Sequence, residues 1–257
     1  MKIERVADSV RALKGAERIL CDVDGCLVSG NRVLPGADVF VSRFGEKLSL
    51  VTNNSTDSAV SLSRRLAETG LHVVADQIFA AGEVAVAVLA HHKPSARVFA
   101  LANPELQSVC VHHGLVLSDT NPEFLLICRD TSLSFERLEL AVRFADEGVP
   151  VVLANRDLSH PGEHGPAIET GALFAVLSAI TRPVVWKEIG KPVPTLIEAA
   201  LTETEPGNAV FVGDNADTDL AGAQAAGIPC ILVGGGPHAI APDIGTLLAA
   251  EQKTAPS

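Results

Sequence analysis

Short apolar runs, each ending in polar turn residues and followed by a helical pattern, recur along this chain and restrict its fold more than any other feature. Residues 18–23 (RILCDV), 48–52 (LSLVT), 97–101 (RVFAL), 124–128 (FLLIC), 149–154 (VPVVLA), 208–212 (NAVFV) and 229–233 (PCILV) read as buried strands. Helical patterns fill 57–68, 82–92, 104–113, 134–147, 170–181, 192–203 and 218–226. Runs that are apolar throughout suit strands covered on both faces, and the βαβα order implies a parallel sheet flanked by helices, an α/β fold. In an open parallel sheet, ligands bind outside the carboxyl ends of the strands. Three polar clusters directly follow apolar runs: Asp22 to Gly25, Thr52 to Ser55, and Asp214 to Asp219. They can therefore share one crevice although they are remote in sequence.

Charge narrows the partners. The 257 residues carry a formal net charge of −11, which disfavours nucleic-acid backbones and anionic membranes. It also repels phosphorylated metabolites, so a site for one needs a local island of lysine, backbone N–H groups and a cation. Hydrophobic residues make up 47% of the chain, enough for a core without disulfides or structural metal. The five cysteines, Cys21, Cys26, Cys110, Cys128 and Cys230, are odd in number and form no C-x-x-C pair, which argues against zinc or a disulfide framework. The amino-terminal stretch MKIERVADSVRALKGAER is charged and amphipathic, without the apolar core of a signal peptide, and no apolar run reaches membrane-spanning length. A cytoplasmic location is expected.

Four clusters carry chemistry. In Asp22-Val23-Asp24-Gly25, the two carboxylates fall on one face of an extended segment and Gly25 allows a sharp turn. Two carboxylates at ~4 Å repel by about 4 kcal/mol at an effective dielectric of ~20, so a proton or a cation has to offset them. Thr52-Asn53-Asn54-Ser55, at a strand-to-helix turn, offers a hydroxyl, amides and backbone N–H groups to an anion. In Gly190-Lys191-Pro192, the proline suits the first turn of a helix and places Lys191 at its entrance. Gly213-Asp214-Asn215-Ala216-Asp217-Thr218-Asp219 packs three carboxylates into its last six residues, a set that suits a hard cation such as Mg²⁺. Each cluster alone also has an ordinary reading: a solvated aspartate turn, a helix cap at Asn54, Ser55 or Thr56, a surface lysine, and a helix cap at Thr218 or Asp219.

Taken in order, Asp-x-Asp-Gly, Thr-Asn-Asn, Lys-Pro and Gly-Asp-x-x-x-Thr-Asp, the clusters resemble the haloacid dehalogenase (HAD) superfamily. The long stretch between the second and third clusters is similar to the nitrophenylphosphatase, phosphoglycolate-phosphatase and ribonucleotide-monophosphatase group. So are Asn121-Pro122-Glu123-Phe124, Ala154-Asn155-Arg156-Asp157 and Gly171-Ala172-Leu173 within it. The resemblance implies a three-layer Rossmann-like core, residues 1–79 and 186–257, with an inserted α/β cap domain at 80–185 that sets substrate specificity. It implies a Mg²⁺-dependent phosphatase acting on a small phosphorylated metabolite through an aspartyl-phosphate intermediate. Asp22 would be the nucleophile and Asp24 the general acid and base. Thr52, Asn53, Asn54 and Lys191 would bind phosphate. Asp22, Asp24 (through its carbonyl), Asp214 and, in an outer position, Asp219 would serve the metal.

The chain departs from the group where Asn-Pro-Asp is common, since it carries Asn155-Arg156-Asp157. The segment Ser159 to Gly165 reads as a polar, turn-rich loop. With it, Asn155, Arg156, Asp157, His160 and His164 are expected near the substrate. Candidate substrates are a sugar or polyol phosphate, phosphoglycolate, a nucleotide and a vitamin B6 phosphate, and a homodimer through the cap follows from the resemblance alone. Two alternatives stay open. A phosphotransferase or phosphomutase would pass the same intermediate to an alcohol. A phosphoaccepting receiver-like module also pairs acidic residues with Thr and Lys on a parallel sheet, but it needs no Asp24 and no insertion of ~100 residues.

Overall fold

The computed structural model describes residue 3, residues 5–162 and residues 165–252. The chain divides into two compact units. The first comprises residues 1–52, 59–79 and 191–257; the second comprises 53–58 and 80–190.

In the first unit, a five-stranded sheet runs in the order Cys230–Leu232, Ala209–Gly213, Arg18–Cys21, Leu48–Thr52, Ile78–Ala80 among the described residues. Arg18–Cys21 lies at its centre, parallel to both neighbours, with Cys21 opposite Val212 on one side and Leu50 on the other. That register brings Asp22, Thr52 and Gly213-Asp214 to the same, carboxyl edge of the sheet. Leu48–Thr52 and Ala209–Gly213 are buried at every position, as apolar runs covered on both faces should be. Ile19 and Cys21 face a core with Leu13, Phe40, Phe44, Leu62, Leu66, Ile244 and Leu247, contributed by helices Val6–Gly15, Ala37–Phe44, Ala59–Glu68 and Ile244–Gln252. Helix Thr195–Leu201 packs against strands Arg18–Cys21 and Leu48–Thr52.

The second unit is built around its own parallel sheet, in the order Val185–Glu188, Val151–Leu153, Phe124–Ile127, Arg97–Leu101, Val116–Leu117. Phe99, Leu101, Leu125, Ile127, Val151 and Leu153 pack with Phe144 of helix Phe135–Asp146 and Leu177 of helix Thr170–Ile180. Helices Ala81–His92 and Pro104–His112 complete it. Among the described residues, no helix is long and apolar enough to cross a membrane.

Two expectations need correction, and unforeseen strands appear as well. The helix expected over 192–203 spans Thr195–Leu201. Pro192 and Pro194 have no N–H to give, and Pro194 takes the cap position, so Lys191 stands in a turn ahead of the helix. The segment read as a loop at 159–165 is part of an antiparallel hairpin, Ser159–Gly162 with Gly165–Ile168. Strand Val185–Glu188 was not foreseen, because VWKE carries two charges and each of its residues is half-buried at a sheet edge.

Candidate active site

The site of the first unit is built on strand ends. The Asp22 N–H still donates to Val212 O at 2.9 Å, continuing the sheet one residue beyond Cys21. The chain then turns back on itself. Leu27 N–H donates to Val23 O at 2.9 Å, Gly25 N–H donates to Val28 O at 2.8 Å, and Gly25 adopts φ +86°. A Cβ at Gly25 would lie 2.1 Å from Asp214 Oδ2. The residue thus meets two demands for glycine, a left-handed backbone and a close approach by a carboxylate.

Lys191 is the electrostatic centre. Its Nζ lies 2.6 Å from Asp22 Oδ1, 2.7 Å from Asp219 Oδ1 and 3.0 Å from Val51 O, so it donates to two carboxylates and one carbonyl. Lys191 is 3% exposed and Asp219 1%. Burial opposes the lysine's charge, but Asp219 and Asp22 more than offset it and hold its pKa well above the ordinary value. Burial pushes the Asp22 carboxyl up, and Lys191 counters only part of that. Asp219 Oδ2 accepts from the N–H groups of Asp214 (3.0 Å) and Asn215 (3.1 Å), which ties the lysine to the turn after strand Ala209–Gly213. A Cβ at Gly213 would meet the Asp219 carboxylate at 2.4 Å. The Asn215 side chain accepts from Asp217 N–H and caps the following π-helical turn Ala216–Leu220, the role expected of Thr218 or Asp219.

Asp214 is pushed up to about 6, by burial first and the charge of Asp219 second. Asp22 and Asp219 thus share one ammonium, and its charge also reaches Asp214. The donor set fits a hard divalent cation: it is rich in oxygen, short of positive charge, and formed where the missing side chain of Gly25 admits Asp214. Asp22, Asp214 and a third residue, Cys26, each place a ligand atom within 4.8 Å of the others'. Asp24 is exposed, and Thr52 is buried at the end of its strand.

The remaining candidates lie in the second unit. Asn53 Nδ2 donates to Asp157 Oδ2 at 3.0 Å. Asn54 Oδ1 accepts from the N–H groups of Thr56 (2.8 Å) and Asp57 (2.9 Å), closing the turn 54–57. Asn155 is fully buried and donates to Asn53 O (2.7 Å) and Ser55 Oγ (3.3 Å), while its Oδ1 accepts from Asp157 N–H at 3.0 Å. Ser55 Oγ also lies 2.6 Å from Thr170 Oγ1 and accepts from Arg129 N–H at 3.2 Å. Arg156 pairs with Glu188 at 2.6 Å and lies over the Phe174 ring. His160 Nδ1 lies 2.7 Å from Glu169 Oε1. His164 lies outside the described residues. Sequence reasoning missed Cys26, the Val51 carbonyl and the Asn215 cap. The carbonyl has no sequence signal, and Cys26 lacks the paired spacing that marks a thiol ligand.

Residues 19–116 match the family described as haloacid dehalogenase-like hydrolase, and residues 188–249 match one described as HAD-hydrolase-like. Between them these matches take in more than half of the chain. The chain belongs to the haloacid dehalogenase-like hydrolases. A dihydroxyacetone phosphatase of Corynebacterium glutamicum is 28% identical to it, over 84% of this chain and 80% of that protein. The chain is an enzyme of the phosphatase class within that family. The crystal structure of a 4-nitrophenylphosphatase from Thermotoga maritima superposes with a TM-score of 0.86 at 26% identity, covering 93% of this chain and 98% of that one. A glycerol phosphate phosphatase from Mycobacterium tuberculosis, solved in complex with magnesium, superposes with a TM-score of 0.81 at 27% identity, covering 86% and 69% of the two chains.

Proposed function

We propose that this enzyme hydrolyses phosphomonoesters of small metabolites, with polyol and triose phosphates foremost, in a Mg²⁺-dependent reaction through an aspartyl phosphate on Asp22. The observation that carries the reading is the buried Lys191 ammonium, 2.6 Å from Asp22 Oδ1 and 2.7 Å from Asp219 Oδ1, at the carboxyl edge of a parallel sheet. Substrate preference rests on likeness to the dihydroxyacetone and glycerol phosphate phosphatases.

In the first step, an Asp22 carboxylate oxygen attacks phosphorus, and the bond from phosphorus to the ester oxygen breaks. Asp24, exposed two residues on, gives its proton to the departing alkoxide. In the second step, water attacks phosphorus, Asp24 takes the proton from that water, and the phosphorus–Asp22 bond breaks to release phosphate. Lys191 fixes the Asp22 carboxylate and, with the Thr52 hydroxyl, balances the charge of the phosphoryl oxygens. Asp22, the Asp24 carbonyl and Asp214 would hold the cation, with Asp219 orienting the group from behind. A bound Mg²⁺ supplies Lewis-acid charge neutralisation at the phosphoryl group.

The test is phosphate release over a panel of phosphorylated metabolites, with Mg²⁺ and with EDTA, ranked by kcat/KM. Metal-dependent turnover led by small polyol or triose phosphates is expected. Undiminished activity in metal-free buffer would remove the cation. A panel led by nucleotides would overturn the substrate class.

A further inference from the structure

Oxygen donors alone serve a hard cation, yet the residue after Gly25 places sulfur among them. Cys26 Sγ, an Asp22 carboxylate oxygen and an Asp214 carboxylate oxygen lie within 4.8 Å of one another. Cys26 is 1% exposed, and the hydrogen bonds of Gly25 and Leu27 on either side fix its backbone. The Cys21 thiol donates to Asp22 O at 3.1 Å and lies beside the Cys26 thiol. The cluster is not a bare acidic surface patch. It belongs to the site proposed above for a divalent cation, and a solved relative is a magnesium complex.

Magnesium takes oxygen and leaves a buried thiol protonated, whereas zinc and cadmium bind thiolate strongly. We propose that Cys26 makes this a dual site, in which thiophilic cations such as Zn²⁺ and Cd²⁺ bind through Cys26 sulfur with the carboxylates of Asp22 and Asp214 and displace magnesium. The inference rests on the reading that Asp22 and Asp214 hold the catalytic cation. No electrons move: the Cys26 S–H bond gives its proton to solvent as the metal–sulfur bond forms. Displacing magnesium would remove the hard cation that the proposed reaction uses to neutralise phosphoryl charge, and soft cations inhibit.

The test uses the full-length, metal-free protein titrated with Cd²⁺ and followed by the ultraviolet sulfur-to-cadmium charge-transfer band. The band should saturate at one equivalent, reverse with excess Mg²⁺, and vanish in Cys26→Ser and Cys26→Ala. Calorimetry should show cadmium affinity falling by about tenfold or more in both variants, with a smaller change for magnesium. No band in the parent protein, or a band surviving both substitutions, overturns the inference. Should neither variant fold, the parent protein decides: a band indifferent to excess magnesium overturns the inference. If the parent protein binds no magnesium, the underlying reading fails instead. If it binds magnesium but gives no cadmium–sulfur band, this inference alone fails.

Discussion

Lys191 Nζ sits 2.6 Å from Asp22 Oδ1, although 169 residues separate the two along the chain. The contact joins the end of the central strand to the turn that precedes helix Thr195–Leu201. It leaves a buried ammonium shared between Asp22 and Asp219.

Replacing that lysine tests both stability and chemistry. Lys191→Met strands two buried carboxylates without their counter-charge, a change that costs about 3–5 kcal/mol. Urea unfolding in EDTA should show that loss, and phosphatase activity should disappear. A variant within about 1 kcal/mol of the parent, on the order of an exposed pair, would show that the ammonium is not what holds the carboxylates together.

Asp22→Asn keeps the shape of the side chain and removes the nucleophilic charge. Turnover should fall by a factor on the order of 10⁴ with the circular dichroism spectrum unchanged. Acid-quenched protein incubated with labelled substrate should retain label in the parent and none in the variant. Label retained by the substituted protein would move the nucleophile elsewhere.

Gly25→Ala puts a methyl group where the Asp214 carboxylate lies and imposes a left-handed backbone on alanine. The backbone alone costs about 1–2 kcal/mol. Magnesium affinity should fall along with the melting temperature. Unchanged calorimetric affinity would show that Asp214 does not hold the cation.

Two of those changes, at Asp22 and Gly25, fall at a strand end whose meeting with others the sequence made legible, for a physical reason. Asp22, Thr52 and Asp214 each end an apolar run, and in a parallel sheet run-ends gather on one edge. Lys191 was recognisable as a chemical group but not by its placement, since two prolines delay the helix it seemed to open. The Val51 carbonyl could not be foreseen, because any strand residue offers one and only the register selects it. Asn155 looked like a ligand-facing polar residue. Whether an amide meets solvent or a buried backbone is decided by packing, which spacing does not encode.

Ser55 shows what that packing is worth. Its hydroxyl serves Thr170, Arg129 and Asn155 in a buried position. Ser55→Ala leaves these partners unsatisfied and should cost about 1–3 kcal/mol, read by urea unfolding. A neutral substitution would show that water replaces the hydroxyl.

Acid should loosen the second unit at a defined place. Glu123 accepts from Arg97 N–H at 3.0 Å and from Lys93 Nζ at 2.6 Å, and these bonds lower its pKa below 4.5, the Arg97 bond foremost. A lowered carboxyl pKa contributes stability above the ordinary value that is lost as pH falls through the folded one. Thermal melts from neutral pH into acid should therefore show the parent losing its advantage over Glu123→Gln below that ordinary value. Parallel melting curves for the two proteins at every pH would remove Glu123 from the acid response.

Asn53–Ser58 counts with residues 80–190 rather than with the sheet strand it follows. Any recombination between this enzyme and a relative inherits that division of labour. A chimera exchanging 80–190 alone would retain the native Ser55 while replacing Thr170, Arg129 and Asn155 with foreign residues. Crossover points that respect the molecule must transplant the hexapeptide as well, so exchanging this unit takes two pieces of gene, not one.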